Sequence, residues 1–375
     1  MEYSALLFVL VLFVAYANGS NDNFKGVATL YGANAVDYRT AIALGTIATF
    51  AGAAASAWFA GALVQAFSGK GLVPAAVVAS TNFKLAVATG AGLTVILATR
   101  LGFPVSTTHG LTGALVGAGL MAAGEKLNLR HLGSAFFLPL LASPVMAAFT
   151  AVPLYKAAQR LTRRLGVGKQ TCLCVGPGRY APLAAQGDHC AFEASGVATL
   201  DMVVGEAPDC MEKYDGRVFG VTAQKLVDRL HLLSAAAVSF ARGLNDTPKI
   251  AALLLAFSAL NLHVSTIAVA LAMAAGGLIS ARRVAETMSR KITPMRDGQA
   301  LTANLVTAFY VIFASRLGLP VSTTHVAVGA IGGVGAAKGE ANRPMIGAIA
   351  LAWVLTLPIA ALGGALAYLA ASAIN

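Results

Sequence analysis

Arg100-Leu-Gly-Phe-Pro-Val-Ser-Thr-Thr-His109 returns later in the chain as Arg316-Leu-Gly-Leu-Pro-Val-Ser-Thr-Thr-His325, differing only at Phe103 and Leu319. Each copy interrupts a long apolar stretch with a hydroxyl run just behind a proline. Gly19-Ser-Asn-Asp-Asn-Phe-Lys25 precedes the first copy and Gly243-Leu-Asn-Asp-Thr-Pro-Lys249 the second, at similar distances. Paired polar breaks in hydrophobic sequence are the pattern of a membrane transporter built from two internal repeats with discontinuous helices.

Composition points the same way. Of 375 residues, 57% are hydrophobic and 11% charged, against about 25% charged in soluble domains. Apolar runs at 41–67, 73–99, 131–154, 250–278 and 345–373 reach the ~20 residues that a spanning helix needs. They are filled with Gly and Ala, which let helices approach closely where lipid offers no hydrophobic drive. The chain reads as an all-α polytopic membrane protein.

The formal charge of +11 does not indicate nucleic acid. Lys and Arg gather at 156–179, 213–229 and 282–296, beside apolar runs, and the positive-inside rule places such loops in the cytoplasm. Residues 166–222 are too polar for a bilayer and form a cytoplasmic loop, with a candidate strand at 197–204. This loop separates an N-terminal membrane repeat, 1–165, from a C-terminal one, 223–375. It holds Cys172, Cys174, Cys190 and Cys210, whose spacing matches no common zinc pattern; in the cytoplasm they are reduced thiols. Ala15-Tyr16-Ala17 resembles a signal-peptide cleavage site, but the start carries Glu2 and no basic residue. It reads instead as a first transmembrane segment with its N-terminus outside, the counterpart of Leu232–Ala241.

Charge also tests the relative orientation of the repeats. With Ser106 placed on Ser322, an offset of 216, Arg282–Arg296 falls on Ala66–Ser80; the first has five Lys/Arg and the second only Lys70. Equivalent loops of opposite charge bias lie on opposite sides of the membrane, so the repeats have inverted topology. Inversion requires an odd number of crossings in each half, which follows if each Pro-Val-Ser-Thr-Thr element is the turn of a re-entrant helical hairpin.

Proline suits the start of a new helix. Ser106, Thr107 and Thr108 then sit where backbone N–H groups lack partners, and with the helix dipole they make an anion site. Ser322, Thr323 and Thr324 repeat it. Hydroxyls in membrane helices can also simply bond back to carbonyls, but here a whole run is duplicated beside a break. Asp22 and Asp246 are intramembrane carboxylates, costly and functional by default. With Asn21 and Asn245 they offer hard oxygens to a coupling cation, Na⁺ or H⁺. Lys25 and Lys249 follow at i+3 on the same helical face and either neutralise the carboxylates or attract the anion. Arg100 and Arg316 are candidates for anchoring the hairpins or steering anions. His109 and His325 are candidates for bonding a carbonyl, binding the anion or sensing pH.

These paired Asn-Asp and Pro-x-Ser-x-Thr-His elements resemble the inorganic phosphate transporter (PiT) family, which includes a phosphate and sulfate permease-like bacterial branch. The likeness covers nearly the whole chain outside the loop. It implies a symporter, not an enzyme, that imports phosphate with Na⁺ or H⁺ by alternating access and carries no prosthetic cofactor. Phosphate would bind at Asn21, Asp22, Ser106, Thr107 and Thr108 with Asn245, Asp246, Ser322, Thr323 and Thr324. The resemblance also implies a multi-pass protein of the cell (inner) membrane, with termini outside, a cytoplasmic loop and a homodimeric state. Sulfate or another oxyanion is the alternative cargo, and an anion channel a more distant one. Where some sodium-coupled relatives carry intramembrane glutamates, this chain has Thr49, Lys84 and Asn304.

Overall fold

Three of the long apolar helices begin at a side chain that caps them. Asp37 accepts from Thr40 N (3.0 Å), Ser80 from Phe83 N (3.4 Å) and Asn342 from Met345 N (3.1 Å), satisfying N–H groups that no helix can pair internally. The computed structural model describes residues 2–164, 168–170, 213–215, 217–218, 221–256, 262–293 and 297–374. The four cysteines and the candidate strand at 197–204 lie outside the described residues.

In the N-terminal half the principal helices are α1 (Glu2–Asp22), α2 (Tyr38–Phe59), α3 (Thr81–Arg100), α4 (Thr107–Ala123) and α5 (Leu138–Arg164). In the C-terminal half they are α6 (Ala223–Ala251), α7 (Leu262–Ser280), α8 (Asp297–Arg316), α9 (Thr323–Lys338) and α10 (Arg343–Ala373). Among the described residues, seven helices are long and apolar enough to cross a membrane. Their outward faces carry Ile47, Phe149 and Val354, each more than 60% exposed. Such a surface suits lipid and would be a liability in water. The chain divides into one unit of residues 1–155 and 230–375 and a second of 156–229. The second unit contains two short antiparallel pairings, Gly168–Gln170 with Lys213–Asp215 and Arg217–Val218 with Val221–Thr222.

The halves are inverted-topology repeats, and their packing follows one pseudo-twofold rule. A Cβ on Gly19 would lie 1.9 Å from the Met273 carbonyl oxygen, and one on Gly276 would lie 2.0 Å from that of Tyr16. Moving each residue to its repeat counterpart, Gly19 to Gly243, reproduces the second crossing. There Gly243 meets the Thr49 carbonyl oxygen at 2.1 Å and Gly52 meets that of Phe240 at 1.9 Å. So α1 crosses α7 as α6 crosses α2, backbone against backbone, as small residues in membrane helices permit. The final helices are exchanged likewise: Gly117 of α4 abuts Ala361 of α10, and Gly333 of α9 abuts Ala148 of α5.

Each Pro-Val-Ser-Thr-Thr element is the turn of a helical hairpin, α3–α4 and α8–α9, whose arms pack on each other. Both turns pass through a glycine of positive φ, 76° at Gly102 and 69° at Gly318, a conformation a Cβ disfavours. The Asn-Asp breaks differ between halves. α1 stops at Asp22 and the chain resumes as the short helix Ala28–Gly32, whereas α6 runs through Asp246 and Pro248 to Ala251.

Candidate anion site

The first turns of α4 and α9 converge from opposite repeats. Thr108 Oγ1 donates to the Val321 carbonyl at 3.2 Å and Thr324 Oγ1 to that of Val105 at 2.9 Å. The rings of His109 and His325 lie 4.4 Å apart, centroid to centroid, where the repeats meet. Ser106 and Ser322 are the N-caps, accepting from His109 N (3.1 Å) and His325 N (3.3 Å). Their hydroxyls therefore serve the helices, and what each first turn presents inward is backbone N–H, threonine hydroxyl and the positive end of the dipole.

Against these turns lie the Asn-Asp pairs, the first at the end of α1 and the second within α6. Asn21 accepts from Val105 N (3.1 Å) and donates to Thr99 Oγ1 (2.9 Å) and the Phe103 carbonyl (3.0 Å), holding the hairpin turn. Asn245 donates to the Val321 carbonyl and Thr323 Oγ1, both at 3.3 Å, and accepts from Ser315 at 3.2 Å. Thr107 Oγ1 donates to Asp22 at 3.1 Å. Lys25 contacts Asp22, and Lys249 contacts Asp246 at 3.4 Å. All ten residues expected to bind phosphate, with both lysines, are gathered into one buried cluster, none more than 3% exposed.

Arg100 and Arg316 are not brought to it. They are exposed at the last turns of α3 and α8, where a cation complements the helix C-terminus; Arg316 stacks over Phe59 at 5.7 Å. They sit as surface anchors. His325 donates through Nδ1 to the Leu140 carbonyl at 3.2 Å and stacks on Trp353 at 3.8 Å. Trp353 in turn donates to the Pro104 carbonyl (3.2 Å), tying α10 to the first hairpin turn. Thr49 and Asn304 are buried polar partners, of Arg242 and of Thr29 respectively.

Two central residues escape the motifs of the sequence. Arg242 is fully buried and donates to Asn23 and Thr49 (3.0 Å each) and to Asn18 (2.9 Å), with Nε 3.9 Å from Asp246. Asn18 occupies the equivalent place in the first repeat. Its amide nitrogen reaches Asp22 (3.0 Å), Thr107 (3.0 Å) and Asp246 (3.3 Å), so one donor bridges both carboxylates. A usable signal existed: an arginine directly before Gly243 inside apolar sequence. Formally the cluster holds Lys25, Lys249 and Arg242 against Asp22 and Asp246, three positive charges to two negative, all buried. The excess charge favours an anion.

The sequence pattern of the phosphate transporter family matches residues 18–364. The chain belongs to that family. It is 28% identical to a Pyrococcus abyssi protein named as a proposed phosphate permease, over 97% of this chain and 96% of the relative. It is 26% identical to inorganic phosphate transporter 2-1, chloroplastic, of Arabidopsis thaliana, over 96% of this chain and 70% of that one. A solved structure titled the sodium-dependent phosphate transporter superposes with a TM-score of 0.76 over 100% of both chains at 21% identity, which establishes a shared fold. Family, fold and apolar helices make this an integral membrane transporter of the phosphate transporter class.

Proposed function

We propose that the chain is a secondary transporter that imports inorganic phosphate with Na⁺ or H⁺, the two repeats rocking around the buried cluster. The observation that carries this reading is the convergence of two helix N-termini on a buried group with one positive charge in excess. The family's description and the names of the relatives supply phosphate as the cargo. The inverted repeats support alternating access, and the basic loop charge supports a cytoplasmic central loop with both termini outside.

The carboxylates argue for phosphate over sulfate. Phosphate near neutral pH still carries an O–H that can donate to Asp22 or Asp246, whereas sulfate has none and would meet acceptors it cannot satisfy. Sites built to bond a substrate O–H reject analogues lacking it strongly, so unlabelled phosphate should compete for labelled phosphate uptake about 100-fold better than sulfate. The assay is uptake into proteoliposomes under imposed Na⁺ and H⁺ gradients. Saturable accumulation is expected in wild type, and Asp22→Asn should abolish it. Equal competition by sulfate would reassign the cargo; uptake without accumulation would indicate a channel; undiminished uptake by the variant would remove Asp22 from the site.

A further inference from the structure

We propose that Lys25 and Lys249 are tethered cations, their ammonium groups filling two oxygen cages that would otherwise hold a mobile alkali cation, so that phosphate transport by this chain is independent of Na⁺. The proposal rests on the reading of the cluster as the phosphate transport site and specifies its coupling.

Lys25 Nζ contacts four oxygens of four chemical kinds: Asn21 Oδ1 (2.8 Å), Asp22 Oδ1, the Val105 carbonyl (2.6 Å) and Thr324 Oγ1 (2.6 Å). An ammonium has three N–H donors. Four oxygens around it therefore form a shell organised about a positive centre, not a set of bonds matched one to each proton. Carboxylate, amide, carbonyl at a helix break and hydroxyl are also the hard ligands that unwound transporter helices offer to Na⁺. The second repeat builds a related cage around Lys249 Nζ, from Thr108 Oγ1 (2.7 Å), the Val321 carbonyl (2.7 Å) and Asp246 Oδ1 (3.4 Å).

The connectivity is crossed. Lys25 leaves the first break, takes the carbonyl of its own hairpin turn and the hydroxyl of the opposite one. Lys249 does the same from the second repeat, taking its own Val321 carbonyl and the opposite Thr108 hydroxyl. Each lysine thus clamps the two hairpins together, the work a bound ion does when it couples their movement. Both side chains are at most 1% exposed, and an ammonium placed so deep in the bilayer interior depends on the oxygens around it.

The test uses the full chain purified and reconstituted. Wild type should take up labelled phosphate at equal rates in Na⁺ and in choline media under a proton gradient, and should show no saturable ²²Na⁺ binding. Lys25→Ala empties one cage. Its uptake in choline should fall at least about 100-fold, the scale of breaking a buried ion pair, with substantial recovery in Na⁺ and newly saturable ²²Na⁺ binding. Lys25→Met keeps the cage plugged and should show neither recovery nor binding. Sodium-dependent uptake or saturable sodium binding by wild type overturns the proposal, and so does a folded Lys25→Ala protein that binds no sodium. If Lys25→Ala does not fold, the wild-type sodium measurements decide alone. Wild type that takes up no phosphate in either medium would refute the transport reading instead, while the sodium-binding comparison still judges the cages.

Discussion

Arg242→Met is expected to abolish phosphate uptake in protein that still assembles in the membrane. The substitution keeps much of the side-chain volume but removes three hydrogen bonds, leaving oxygens of Asn18, Asn23 and Thr49 buried without that donor. It also changes the charge balance of the cluster from three against two to two against two, cancelling the attraction for an anion. Breaking a buried charged network costs about 3–5 kcal/mol, and a penalty of that size on the transport-competent state corresponds to about 100-fold or more in rate. Exchanging the repeat counterparts, Asn18→Arg with Arg242→Asn, should not restore function. Besides Asn18, the oxygens that receive Arg242 come from Asn23 and Thr49, whose counterparts are Thr247 and Met273. A mirrored arginine would meet a thioether where Thr49 now accepts. Uptake in proteoliposomes, with gel filtration and thermal unfolding to confirm assembly, checks both variants. Near-normal transport by Arg242→Met would show that the excess charge is dispensable.

That asymmetry explains what was legible in the sequence. The hairpin turns repeat almost residue for residue, so Ser106 and Ser322 locate each other, and the unequal charge of the loops around Lys70 and Arg290 gives the inversion. The i+3 spacing of Lys25 from Asp22 and of Lys249 from Asp246 anticipates their contact: Lys249 shares a helix face with Asp246, and Lys25 reaches Asp22 across one turn at the end of α1, so neither needs tertiary information. The reach of Lys25 to Thr324 and of Lys249 to Thr108 is different. It depends on how the two hairpins meet, which no local period encodes. Asn18 and Arg242 stay hidden because a repeat comparison rewards identity, and these two act through their difference. The serines stand at a boundary that sequence could place but not resolve. A Ser beside a helix start can bind a ligand or cap its own helix, and here the cap takes the hydroxyl.

Gly19→Ala and Gly243→Ala should each disable the protein through the fold, even though neither glycine has a side chain to touch an ion. The added methyl of Gly19→Ala would sit 1.9 Å from the Met273 carbonyl oxygen, and that of Gly243→Ala 2.1 Å from the Thr49 carbonyl oxygen. Both obstacles are backbone, so relief requires α1 to draw away from α7, or α6 from α2. Overpacking in a filled interior typically costs about 1–3 kcal/mol, occasionally more, and these contacts with rigid helix backbone belong at the upper end. The displacement falls one residue from Asn18 in the first case and one residue from Arg242 in the second. Asn18 spans Asp22, Thr107 and Asp246 with bonds of 3.0–3.3 Å, and a shift of about 1 Å is enough to break bonds of that length. Lowered thermal stability and lost uptake should therefore appear together in both variants. Gly61→Ala provides the control: nothing lies within 4 Å of where its methyl would stand, and the substitution should leave stability and uptake near wild type. If the crossing variants matched that control, the two helix pairs would have room to move apart, and close backbone packing could not be what aligns the Asn-Asp breaks with the hairpin turns.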